Sequence, residues 1–178
     1  MVQWTILSDE RRELGRAAVA TLRWMKMTET LFYHLERRSL EEILPGLVEK
    51  SLQRDWRAAI KTDSSERSDA LDTLLWTYDD QSFLPHAQLG DGEAGGQPVL
   101  ISVEEGNPNA AQIFFYVGGA LPPDWTRLSD LARVVLLFDG RDAGALASAR
   151  AAWKDAKDAG HDVTYWKETP SGKFEKQN

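Results

Sequence analysis

The chain has no cysteine among its 178 residues. That absence excludes disulfides, cysteine-ligated zinc and a thiol nucleophile, and it suits a reducing compartment. Long apolar runs are missing too. No stretch approaches the ~20 apolar residues that a membrane-spanning helix needs. No signal peptide is expected, because Asp9-Glu10-Arg11-Arg12 stands where its apolar core would lie. Histidine is scarce: His34, His86 and His161 are the only three, and no two share the spacing of a zinc pair. No Gly-x-Ser-x-Gly nucleophile elbow is present, although a dispersed Ser-His-Asp arrangement is left open. Positive charge is in deficit, with 21 Lys and Arg against 28 Asp and Glu and a net charge of −7. Sequence-independent DNA binding depends on neutralising phosphates, so such a chain is a poor candidate for it. There is no linker-like segment, internal repeat or low-complexity tract. One domain is expected, of a size that buries a core without metal or disulfide staples.

What is present alternates between strand-like and helix-like patterns. Residues 1–26 read as a separate N-terminal extension, with Ser8 capping a helix over Asp9–Met25. This segment is either a lineage-specific arm or upstream start, with Met25 and Met27 as later starting points, or a helix integral to the fold. Residues 27–168 read as a single α/β domain, and residues 169–178 as a polar, frayed tail. Within the domain, strands are expected at Thr30–Leu35, Trp56–Lys61, Phe83–Ala87, Pro98–Val103, Gln112–Val117 and Arg133–Phe138, with Asp162–Lys167 closing the sheet. Helices are expected from Ser39, carrying Ile43, Leu44, Leu47 and Val48 at helical spacing, and from Ser64 or Ser65 to Leu75. A short helix is expected within Leu121–Leu131, and a long Ala-rich one over Asp142–Ala159, stopped by Gly160. Pro45 fits only near the start of its helix. The alternation predicts a three-layer α/β sandwich with a largely parallel or mixed sheet. All-apolar Val134–Phe138 suits the buried centre of such a sheet.

Several motifs invite chemistry and have plainer readings. Gly90-x-Gly92-x-x-Gly95 matches the dinucleotide fingerprint as a string, but it leads into Pro98 and a strand instead of opening a helix. A turn is the better reading, and no cofactor or metal is expected. The acidic clusters Asp79-Asp80 and Asp139-Gly140-Arg141-Asp142 read as solvated loop ends, with Asp142 well placed as a helix cap. The Ala-rich helix carries more. Ala145, Ala149, Ala152 and Ala156 form a face that can lie close to a sheet, and Arg150, Lys154 and Lys157 lie to one side of it, with Trp153 between the two stripes. An aromatic beside a basic row suits a short peptide ending in an aromatic residue and a carboxylate and preceded by acids. The plain alternative is an amphipathic helix with a half-buried Trp. Trp76, Phe83 and Pro85 form a second candidate surface, or simply core.

Three runs in the middle of the chain tie these pieces together: Leu75-Trp76, then Ser82-Phe83-Leu84-Pro85-His86, then Gly95-Gly96-Gln97-Pro98-Val99. In that order they resemble the signature of the chi subunit of bacterial DNA polymerase III holoenzyme. Phe32-Tyr33 matches the family's first-strand Phe-Tyr pair, and Ala149-Arg150-x-x-Trp153-Lys154 is similar to its Ala-Arg-x-x-Tyr-Lys helix. Gly160 and Trp166 fall where the family has a Gly turn and a late Trp, so the resemblance covers roughly residues 29–167. It implies a nucleotide-binding-like fold used as a binding scaffold. The implied protein is a cytoplasmic accessory subunit of the clamp-loader complex, part of a DNA-directed DNA polymerase but without catalysis of its own. By the resemblance, Arg150, Trp153, Lys154 and Lys157 hold the acidic C-terminal tail of single-stranded-DNA-binding protein, although Leu146 stands where some members carry a further Lys. Trp76, Phe83 and Pro85 face the psi subunit or a helicase.

Two readings from other classes remain beside it. One is a small α/β nucleotide-binding enzyme using the crevice at the strand carboxyl ends, with Asp139, Asp142 and Ser102 as its groups. The other is direct single-strand binding, which the charge balance disfavours.

Overall fold

The computed structural model describes residues 27–177. The helix expected over Asp9–Met25, and the extension it belongs to, lie outside the described residues. The chain runs β1 (Glu29–Leu35), α1 (Leu40–Leu52), β2 (Ala58–Lys61), α2 (Ser65–Thr77), β3 (His86–Gln88), β4 (Val99–Ser102), β5 (Ile113–Tyr116), β6 (Arg133–Asp139), α3 (Ala143–Asp158), β7 (Asp162–Glu168) and β8 (Phe174–Gln177). Short 3-10 turns at Ala94–Gly96 and Trp125–Leu128 interrupt the connections. Eight strands form one sheet in the order β3-β4-β2-β5-β6-β1-β7-β8. Every pairing is parallel except β7 with β8.

Side-chain alternation along the strands divides the core in two. Leu31, Leu35, Ile60, Ile101, Phe115, Val135 and Leu137 face α1 and α2, meeting Ile43, Leu44, Val48, Leu71 and Leu75. Phe32, Phe114, Tyr116, Val134, Leu136 and Phe138 face the other way, toward Trp125 and the Ala149, Ala152 and Ala156 stripe of α3. The expected three-layer sandwich is thus present, with both faces of the central strands covered, as parallel sheets require.

The helix starts follow the sequence. Ser39 caps α1 in a capping box with Glu42, Ser64 caps α2 and Asp142 caps α3. Beyond α3, Gly160 adopts φ 85°, a left-handed conformation that glycine takes without steric cost and that reverses the chain into β7.

Several boundaries differ from expectation. Pro45 lies in the second turn of α1, inside the helix, and is buried. The second strand begins at Ala58, not Trp56, because the Arg57 N–H is taken by the Gln112 side chain at 2.7 Å. The third strand starts only at His86, since Pro85 has no N–H for a ladder. The helix expected within Leu121–Leu131 shrinks to the 3-10 turn.

The largest correction concerns the C-terminal tail. Its described residues do not fray and β7 does not close the sheet: Phe174–Gln177 adds an antiparallel edge strand through a turn at Gly172 (φ 75°). A single apolar residue explains the docking. The Phe174 ring meets Tyr33 edge-on at 4.8 Å, with the Arg38 guanidinium over it at 5.4 Å. Glu168, at the end of β7, anchors the adjacent chain. Its Oε2 accepts the backbone N–H groups of Glu36 (3.0 Å), Arg37 (2.8 Å) and Arg38 (3.2 Å), and its Oε1 accepts Arg38 Nε at 2.9 Å.

Candidate functional site

Three surfaces on this scaffold collect the residues singled out above. The first is a cavity of about 530 Å³ beside the C-terminal half of α3. Arg150, Trp153 and Lys157 line one side with Ala149, and β7 faces them with Val163, Thr164 and Tyr165. Lys176 and Gln177 of β8 complete the lining. The helix geometry explains the arrangement. Successive residues turn by about 100°, so with Ala149, Ala152 and Ala156 pressed on the sheet, Trp153 flanks the buried stripe and Arg150 and Lys157 lie next outward. Lys154 falls farther round toward solvent; it is exposed and does not line the cavity. Lys157 Nζ stands 3.8 Å from the centre of the Trp153 ring, a cation–π contact that stiffens both. Among the described residues no carboxylate lines the cavity, whereas Arg150 and Lys157 of α3 and Lys176 of β8 belong to its lining.

Sequence reasoning did not find Tyr165, Gln177 or Lys176. Tyr165 belongs to the half-buried floor, and its hydroxyl lies 2.7 Å from His34 Nδ1. Burial pushes its phenol pKa up, so it remains a neutral hydrogen-bonding group. The His34 ring fits closely against Gly140, where an added Cβ would fall 1.6 Å from Nε2. The dyad alternation of Val163 and Tyr165 was legible in the sequence. The approach of β8 was not, because it depends on a polar strand with one apolar residue.

The second surface is aromatic. Trp76, at the end of α2, is 56% exposed, and Phe83, in the following loop, is 68% exposed, with their rings 5.8 Å apart. Pro85 is half-buried beside them. These two rings are therefore not core. The buried His86 ring supports Trp76 from beneath at 4.7 Å, its nitrogens 2.6 Å from the Leu84 carbonyl and 3.2 Å from the Asp72 carbonyl. The Tyr78 and Ser82 hydroxyls donate to Glu49 of α1 at 2.6 and 2.5 Å, which pins the loop. Those two bonds hold the Glu49 carboxyl below its usual range, Ser82 contributing most.

The third is a crevice of about 580 Å³ at the carboxyl ends of β1 and β6, where α1 and α3 start on opposite faces. This is where an open α/β sheet binds ligands when it has a site. Here, however, its Arg38, Arg67 and Arg141 are balanced by Glu41, Asp139 and Asp142, and both helix N-termini are occupied by their own caps. Asp139 is engaged by Arg141 at 2.8 and 2.9 Å, and that guanidinium lowers its pKa. Asp142 accepts the Ala145 N–H at 2.9 Å. Ser102 does not line the crevice. It is buried at the end of β4, separated from β6 by two strands, with its hydroxyl bonded to the backbone of Glu104. The three groups do not converge on a reacting atom. The Gly90–Gly95 run leads through a 3-10 turn into β4, so it lacks the strand–turn–helix geometry of a pyrophosphate cradle. Among the described residues no cluster of His, Asp and Glu has the geometry to hold a metal, and no helix is long and apolar enough to cross a membrane.

The fold and its surfaces thus define an α/β scaffold with a cationic pocket and a separate aromatic patch. Comparison with known proteins gives the class a family. The sequence profile described as DNA polymerase III chi subunit, HolC, matches residues 27–164, and the chain belongs to that family. It is also similar to a protein of Rickettsia prowazekii (strain Madrid E) named "Probable DNA polymerase III subunit chi", with 25% identity over 112 residues. That match covers 63% of this chain and 66% of the relative, just under two thirds of its length.

Proposed function

We propose that the chain is a non-catalytic accessory subunit of the polymerase's clamp-loader complex that tethers it to protein-coated single-stranded DNA. The α3 pocket takes the acidic C-terminal tail of single-stranded-DNA-binding protein. Arg150 and Lys157 meet its acids and terminal carboxylate, Trp153 and Tyr165 flank its aromatic end, and Lys154 adds charge from outside the pocket. The Trp76, Phe83 and Pro85 patch joins the psi subunit or a helicase. The protein works in the cytoplasm and needs no contact of its own with DNA. One observation carries this reading: a cavity with an aromatic wall beside Arg150 and Lys157, and with no carboxylate among the described residues of its lining. A single aromatic in a small pocket with exposed ion pairs gives weak, salt-sensitive binding. Many tails on a coated strand raise the effective affinity.

The test is fluorescence anisotropy of a labelled peptide copying the host protein's tail, titrated with wild type, Arg150→Ala and Trp153→Ala at low and high salt. Binding in the micromolar range that salt weakens and both substitutions abolish is the expected outcome. No binding by wild type at low salt overturns the assigned site.

A further inference from the structure

We propose that β8 is the second wall of the α3 pocket, so that a bound acidic peptide lies between α3 and Gln177; this inference rests on the peptide-binding reading above. The match to the family ends at residue 164, within β7, and β8 lies beyond it. Without β8 the pocket would be a groove between α3 and the sheet edge at β7. With it, the sheet extends by one strand beneath the groove. The antiparallel register pairs Tyr165 with Gln177. Paired residues in adjacent strands leave the same side of a sheet, and Tyr165 is on the α3 side. By alternation Glu175 and Gln177 are the β8 side chains on that face, and of the two Gln177 lines the cavity with Arg150, Trp153 and Lys157.

The charges around the cavity select the occupant. Arg150 and Lys157 require an anion, while Trp153, Val163 and Tyr165 require an apolar or aromatic group attached to it. β8 also pairs with β7 alone, so it forms the edge of the sheet among the described residues. An edge strand presents main-chain N–H and C=O groups to an extended peptide, which a small inorganic anion could not use. The occupant fits as an acidic peptide ending in an aromatic residue.

The experiment reads the same tail peptide by anisotropy against Gln177→Arg, Gln177→Glu and a control, Thr73→Glu, on the opposite layer of the sandwich. One added charge at an exposed site shifts affinity by about two- to fivefold. Gln177→Arg is expected to tighten binding by that factor and steepen its salt dependence. Gln177→Glu weakens it equally, and Thr73→Glu leaves it unchanged. If wild type binds and Arg150→Ala abolishes binding, but the Gln177 variants behave like the Thr73 control, the wall is overturned and the pocket reading stands. If wild type does not bind, or Arg150→Ala has no effect, both fall.

Discussion

Glu168 is the residue on which the C-terminal region depends most. Burial alone would raise the pKa of its carboxyl. The Arg37 N–H, the Arg38 guanidinium and the Glu36 and Arg38 N–H groups outweigh that effect and hold it at about 2. A carboxyl whose folded pKa lies below its unfolded value adds stability above the unfolded pKa, near 4.5, and loses it as pH falls toward the folded one. Glu168→Gln keeps the shape but removes the charge that four donors share. It is expected to cost about 1–3 kcal/mol at neutral pH. Chemical denaturation across pH 7 to 2 checks this: the wild type loses stability steeply below about pH 4.5, whereas the variant shows a shallower fall. His86, one of three histidines, has a structural role of the kind its place after Pro85 suggests: its ring is a prop beneath Trp76, tied to two backbone carbonyls.

At the scale of elements, α3 does two jobs with two faces. Ala149, Ala152 and Ala156 are buried, and their small side chains let the helix lie close to β1, β6 and β7. The flank beyond them carries Trp153, Arg150 and Lys157 to the pocket. The position of the pocket wall is therefore set by the size of the alanines. Ala152→Leu should push α3 away from the sheet, at a cost of about 1–3 kcal/mol from overpacking. A lowered melting temperature together with weakened tail-peptide binding is the expected result, although residue 152 does not line the cavity. Unchanged peptide affinity in a destabilised variant would show that the helix spacing does not govern the site. The alanine face, the Asp142 cap and the Gly160 stop were all legible in the sequence, because each is a local signal. That Lys154 lies outside the cavity was not, because the cavity's other wall is made by β7 and β8, distant in the chain. The same limit applied to Trp76 and Phe83, where a helix end and a loop gave no sign of whether the rings were core or surface.

For the whole molecule, the net charge of −7 and the local cations of the pocket pull in different directions. Under the proposed function, long-range repulsion from phosphate opposes binding to bare DNA, while a few positive side chains attract an acidic peptide at short range. In a gel-shift experiment at about physiological salt, the protein is expected not to retard bare single-stranded DNA. It should further retard the same strand once that strand is coated with the host's single-stranded-DNA-binding protein, but not when the coating protein lacks its acidic tail. Retardation of the bare strand would overturn the tether reading in favour of direct binding. The sequence by itself determined the α/β class, the central strands, the helix caps and the family, because periodicity, capping and ordered motifs are properties of neighbouring residues. Tertiary structure alone decided that Arg150, Trp153 and Lys157 share a cavity with Tyr165 and Gln177, that Asp139, Asp142 and Ser102 do not converge, and that the polar segment after Thr169 becomes a strand. Each depends on contacts between distant parts of the chain. For β8 the deciding contact is one ring, Phe174, placed on Tyr33 by a turn at Gly172.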